Sequence, residues 1–103
     1  MGSVFLTKKS DLKDCTLYGT RIQGVSLVYF QINGILHVFD AKCPHKSCNL
    51  ARMGKLDEKH NLECTCHDSK FDIHTGSPLT GPSRSNLKKY LVKDNGDILE
   101  VVF

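Results

Sequence analysis

The sequence predicts an all-β fold: an antiparallel sandwich or barrel base with a loop-rich subdomain inserted into it. Three observations lead there. Two pairs of runs rich in β-branched and aromatic residues are each joined by a short turn of Asn, Asp and Gly. Between those pairs the alternation fails, and the segment gathers four of the five Cys, four of the five His and all three Pro. Nowhere does a 3.6-residue apolar period last beyond two turns.

Taken in order, residues 4–7 read as a short strand, residues 10–14 as a single turn of helix, and residues 16–18 as another short strand. Residues 25–32 and 35–39 form a hairpin around Asn33-Gly34, because both turn positions need positive φ and these two residue types tolerate it best. Within the insert, short strands are expected at residues 61–64 and 70–73. A second hairpin closes the chain, with strands at residues 90–93 and 97–102 and a turn at Asp94-Asn95-Gly96. The division that follows is one domain over residues 1–103, with its base at 1–41 and 84–103 and the inserted subdomain at about 42–83.

Composition narrows the function. At 103 residues with 40% hydrophobic and 24% charged, the chain has the make-up of one ordinary globular unit. A net charge of +3, spread along the chain, is too small and too dispersed for a nucleic-acid binder. No apolar run is long enough to insert in a membrane, and residues 1–6 lack the pattern of a secretion signal or of myristoylation. A cytoplasmic protein, and a monomer, is the expectation.

The cysteines are uneven. Cys15 stands alone, whereas Cys43, Cys48, Cys64 and Cys66 fall in less than a quarter of the chain, interleaved with His. That pattern favours a metal site over a disulfide-stapled secreted domain. Two boxes carry it, Cys43-Pro44-His45-Lys46-Ser47-Cys48 and Cys64-Thr65-Cys66-His67-Asp68-Ser69. In each, one tight loop can aim a thiolate and an imidazole at a shared centre. Thiolates suit iron–sulfur clusters and imidazole suits iron or zinc, so a tetrahedral zinc site of Cys and His is the competing reading.

The spacing C-x-H, eighteen residues, C-x-x-H resembles the Rieske pattern. Phe71-Asp72-Ile73-His74-Thr75-Gly76 is similar to the strand and turn after the second box in Rieske ferredoxins. Thr80-Gly81-Pro82-Ser83 resembles the proline loop that covers the cluster, and the closing hairpin resembles the family's last strands. The likeness spans about residues 25–103. It implies one Rieske-type 2Fe–2S cluster per chain, with Cys43 and Cys64 on the inner iron and His45 and His67 on the outer. Neutral His in place of two thiolates raises the potential from about −400 mV to roughly −150 to +300 mV.

Cys48 and Cys66 match the disulfide that joins the two cluster loops in Rieske subunits of cytochrome bc complexes, and the resemblance implies that bond here. Ser69 matches a serine of those subunits whose hydroxyl hydrogen-bonds a bridging sulfide and raises the potential. Phe71 stands where they carry a tyrosine that donates a second bond, and Asp68 replaces a glycine with a carboxylate near His67, which lowers it. An intermediate potential is expected, falling with pH in the alkaline range as His45 and His67 deprotonate.

The remaining candidates read as structural. His37 is taken as an exposed strand residue, His60 as solvated in a charged turn, and His74 as outside the site. Cys15 is taken as a structural strand residue, and Lys8-Lys9 and Lys88-Lys89 as solvated surface. Lys46 stands out as a docking residue at the cluster edge. The function implied is a one-electron carrier between a reductase and an oxygenase or other redox acceptor, with no catalytic residues of its own. A high-potential respiratory-type carrier, or small subunit of a larger oxidoreductase, is the first alternative, and a zinc-bound non-redox module the second.

Overall fold

The structure, a computed structural model, describes residues 2–43, 48–66, 68–81 and 85–103. Strands β1 (Ser3–Lys8), β2 (Tyr18–Ile22), β3 (Val25–Ile32) and β4 (Ile35–Asp40) lead to a four-residue helix α1 (Leu50–Met53). Strands β5 (Gly54–Leu56), β6 (Leu62–Cys64), β7 (Ser69–Phe71) and β8 (Pro78–Thr80) follow, and β9 (Lys89–Asn95) and β10 (Ile98–Val102) close the chain. Two antiparallel sheets result, a base ordered β1-β10-β9-β4-β3-β2 and a smaller sheet ordered β5-β6-β7-β8.

Local turn chemistry sets the base hairpins. Asn33 and Gly34 take φ of 52° and 80°, and Ile32 pairs with Ile35, as the hairpin reading requires. Gln23-Gly24 does the same between β2 and β3, at 53° and 79°. The last turn sits one residue later than predicted: Asn95 pairs with Ile98 and the two turn residues are Gly96 and Asp97. Asp97 decides this, because its carboxylate accepts from the Ser10 N–H and hydroxyl (2.8 and 3.1 Å) and its carbonyl from the Lys9 N–H (2.7 Å). A 3-10 turn at Lys9–Asp11 is thereby tied to the hairpin.

The base curls into a half-barrel. Its halves, β1-β10-β9 and β4-β3-β2, are joined in register at Val38 with Tyr90 and Phe39 with Lys89. Leu6, Tyr90 and Val101 from one half pack on Leu27, Tyr29 and Val38 from the other. On the opposite face Val28, Phe30, Ile32 and Phe39 meet Leu50, Leu62, Phe71 and Ile73 of the insert. Strand β3 is therefore buried on both faces. Each such large side chain contributes about 1.5–3 kcal/mol.

That two-sided burial corrects one expectation. His37 is 5% exposed, because it lies on the face that the insert covers, stacked on Phe30 at 5.5 Å. Other corrections are local. The strand expected at 16–18 runs from Tyr18 to Ile22, and Cys15 is an exposed turn residue with φ of 60°, not a strand residue. The strand expected at 70–73 ends at Phe71, and β5, β8 and α1 had no counterpart in the sequence reading.

Candidate metal centre

Both cysteine boxes are loops closed at their stems. In the first, Leu50 N–H donates to the Ala41 carbonyl (2.6 Å), Lys42 bridges Asn49, and Cys43 N–H donates to the Cys48 carbonyl (2.9 Å). The chain then turns into α1, whose first turn is capped by the Asn49 side chain accepting from Ala51 N–H (2.9 Å). Leu50 is buried, and Ala51 seats the helix against Gly19 of β2, where an added Cβ would stand 2.5 Å from the Ala51 methyl.

The second box is the β6–β7 hairpin, with Cys64 opposite Ser69 and Asp68 at φ of 57°. Thr65 donates both its N–H (2.9 Å) and its hydroxyl (2.6 Å) to the Met53 carbonyl at the end of α1, which ties the second box to the first. Cys48 and Cys66 are joined by a disulfide, with 6.7 Å between their Cα atoms. A third loop begins against the same hairpin. Gly81 takes φ of 91°, and a Cβ there would meet Ser69 Cα at 2.5 Å and the Asp68 carbonyl oxygen at 2.7 Å.

Cys43 is 2% exposed and Cys64 fully buried; neither is in the disulfide. The sulfurs of Cys48, Cys64 and Cys66 lie within 4.8 Å of one another. Ser69 and Phe71 are fully buried beside them in sequence, and Asp68 is exposed. His45, His67, Pro82 and Lys46 lie outside the described residues. The donor chemistry fits a 2Fe–2S cluster: Cys43 and Cys64 sit among Leu50, Leu62 and Phe71, a shell that shields a cluster from water. It fits an all-thiolate zinc set poorly, because the disulfide removes two of the four sulfurs from ligation.

Behind the site lies a polar contact that sequence reasoning missed. The Lys89 ammonium donates to the carbonyls of Ile73 (2.9 Å) and His74 (3.2 Å) and reaches His37 Nδ1 at 3.4 Å. It thereby pins the turn after β7 to the base, and Lys89 is not simply solvated surface. Burial, then the charges of Lys89 and His74, lower the pKa of His37 to about 4, so its ring is neutral and accepts at Nδ1. Burial also lowers that of Lys89. The signal available beforehand was a histidine within an otherwise apolar strand. His60 is half-buried, with its Nε2 3.8 Å from the Cys15 sulfur.

Comparison with known proteins agrees with this geometry. The family model of the Rieske [2Fe-2S] domain matches residues 2–91. The ferredoxin component of a naphthalene 1,2-dioxygenase system from Pseudomonas putida is 32% identical over 84 residues, 82% of this chain and 79% of that one. Sulredoxin from Sulfurisphaera tokodaii is 39% identical over 79 residues, 68% and 70% of the two chains. In structure, the ferredoxin of carbazole 1,9a-dioxygenase from Nocardioides aromaticivorans IC177 superposes with a TM-score of 0.89, covering 98% of this chain and 97% of that one at 22% identity, and so shares the fold.

Proposed function

Since this chain belongs to the Rieske 2Fe–2S domain family and is an electron carrier with that family's cluster, we propose that it is the ferredoxin of an oxygenase system, passing single electrons from a reductase to an oxygenase or another redox acceptor. One observation carries the reading most of all: two buried cysteines outside the disulfide, on loops held together by a disulfide and by the bonds from Thr65 to Met53. Cys43 and Cys64 hold the inner iron in this reading, and His45 and His67 the outer. Bound there, the cluster accepts and releases one electron. The chain's residues hold it, exclude water from its buried side and set its potential. The naphthalene relative is a component of a dioxygenase system, which supports an oxygenase as acceptor.

Ser69, Phe71 and Asp68 tune the potential. The buried Ser69 supplies a hydroxyl donor, which stabilises the more negative reduced form. Phe71 supplies none, and the exposed Asp68 carboxylate favours the oxidised form. In this reading Gly81 and Pro82 belong to the covering loop; the close approach of Gly81 to Ser69 supports this, and Pro82 lies outside the described residues. We read residues 1–41 and 84–103 as the base and about 42–83 as the cluster-binding subdomain of a single domain, which the two separate sheets support. Among the described residues no helix is long and apolar enough to cross a membrane. A cytoplasmic location is inferred from the ferredoxin-component relatives.

A second reading, a higher-potential carrier of respiratory type, is favoured by the disulfide and the buried Ser69. Titration of the midpoint separates the two. A value between the two classes agrees with Ser69 acting alone; one below about −100 mV contradicts the tuning assigned to it.

A further inference from the structure

We infer that the groove beside the first cysteine box is a docking site for an acidic segment of the redox partner, an inference that rests on the electron-carrier reading above. A cleft of ≈ 400 Å³ lies between β2, the start of β3 and α1, with Arg21 and Arg52 in its lining. A second, of ≈ 180 Å³, continues from the shared Ser26 and Asn49 to Ala41 and Lys42. Among the described residues, three cations and no carboxylate line the pair. Asp40 is the acid nearest in sequence, and its carboxylate accepts from the backbone N–H of Lys42 (2.9 Å). Among the described residues, ion pairs form at Lys9, Lys55 and Lys70, and at none of the three groove cations.

The position is what gives these charges a role. Lys42 immediately precedes Cys43, and Asn49 immediately follows Cys48, so the groove floor is the stem of a cluster loop. Arg52 is carried on α1, whose seat on Gly19 sets it facing the same cleft as Arg21. Guanidinium pairs bind carboxylates in a bidentate, directional way, and clustered unpaired cations steer an acidic surface into encounter. Among the described residues no aromatic side chain lines either cleft to stack a base, so carboxylates, rather than nucleic acid, are the occupant.

The test uses the cluster-loaded protein with hexaglutamate as probe, in calorimetry at low salt. Binding weakens at least fivefold in Arg21→Glu and in Arg52→Glu, and less than twofold in Lys93→Glu, an exposed β9 residue outside both clefts. Arg21→Gln and Arg52→Gln, which remove charge without adding any, show a smaller loss in the same order and guard against misfolding. In stopped-flow, oxidation of the reduced protein by hexacyanoferrate(III) slows in the same variants. No binding by the wild type, equal effects in all variants, or oligothymidylate bound as tightly as hexaglutamate would overturn the inference. Absence of the reduced-cluster EPR signal would instead sink the carrier reading, and the calorimetry would still decide the groove.

Discussion

His37 shows how one side chain senses the whole packing around it. Its ring is stacked on Phe30, meets His74 edge-on at 5.9 Å and accepts from Lys89, so protonation inside the fold is disfavoured. In the unfolded chain it titrates near 6.5, and in the fold at about 4. Between those values the unfolded state binds more protons, so the stability that neutral His37 contributes is full above about pH 6.5 and is lost as pH falls towards 4. Urea midpoints at pH 7 and 4.5 should therefore fall by the equivalent of roughly 2 kcal/mol in the wild type. His37→Gln should show a distinctly smaller fall, and an equal fall would assign the acid sensitivity to other groups.

Two residues beside the second box carry opposite expectations for the potential. Ser69→Ala removes a buried hydroxyl and should lower the midpoint by roughly 50–100 mV, the one-electron equivalent of about 1–2 kcal/mol in hydrogen bonding to charge. Phe71→Tyr should raise it, provided the added hydroxyl finds the same centre. Redox titration followed by visible absorption measures both, and an unmoved midpoint in Ser69→Ala would remove that residue from the tuning.

At the scale of elements, the disulfide and the Thr65–Met53 bonds tie the two boxes together, and Gly81 starts a third loop against the second. The disulfide closes an 18-residue separation between the boxes, which on chain-entropy grounds stabilises by about 3 kcal/mol. A Cys48→Ser, Cys66→Ser double variant should keep the β-rich circular dichroism of the base yet lose its visible absorption at a temperature several degrees lower. Gly81→Ala should do similar damage by another route. It places a Cβ against the Ser69 and Asp68 backbone at a φ that disfavours side chains, costing on the order of 2 kcal/mol. Its loss of cluster should occur with the Cys48–Cys66 disulfide still formed, which distinguishes it from the disulfide variant.

The same scale explains what was legible beforehand. Strands β3, β4, β9 and β10 stand out in the sequence because each spans five or more residues and carries at least two β-branched or aromatic ones. Strands β5 and β8 span three residues each and α1 four, too short for any period to register. Strand β2 is disguised by Gly19, which is there to admit Ala51, not to favour extended backbone. The disulfide and the two buried cysteines outside it fall within two short, local boxes, which is why those boxes stood out in the sequence. His37 was misread because alternation tells the two faces apart but not whether a second layer covers the outer one.

For the molecule as a whole, the base is a platform whose curl makes two cores. One lies between its own halves, and the other lies under the insert. The second core joins Cys43 and Cys64 to the base through Leu50, Leu62 and Phe71, so the stems of both cysteine boxes are packed on the sheet beneath them. Packing of this kind suits an electron carrier, whose efficiency depends on little rearrangement between its two redox states.

The most direct test of the central claim is a redox titration of the purified protein with EPR detection. One unpaired electron per reduced chain is expected, with a midpoint above about −100 mV and within the roughly −150 to +300 mV span of centres ligated by two His and two Cys. A silent, zinc-bearing protein, or a midpoint near −400 mV as in an all-cysteine cluster, would contradict it.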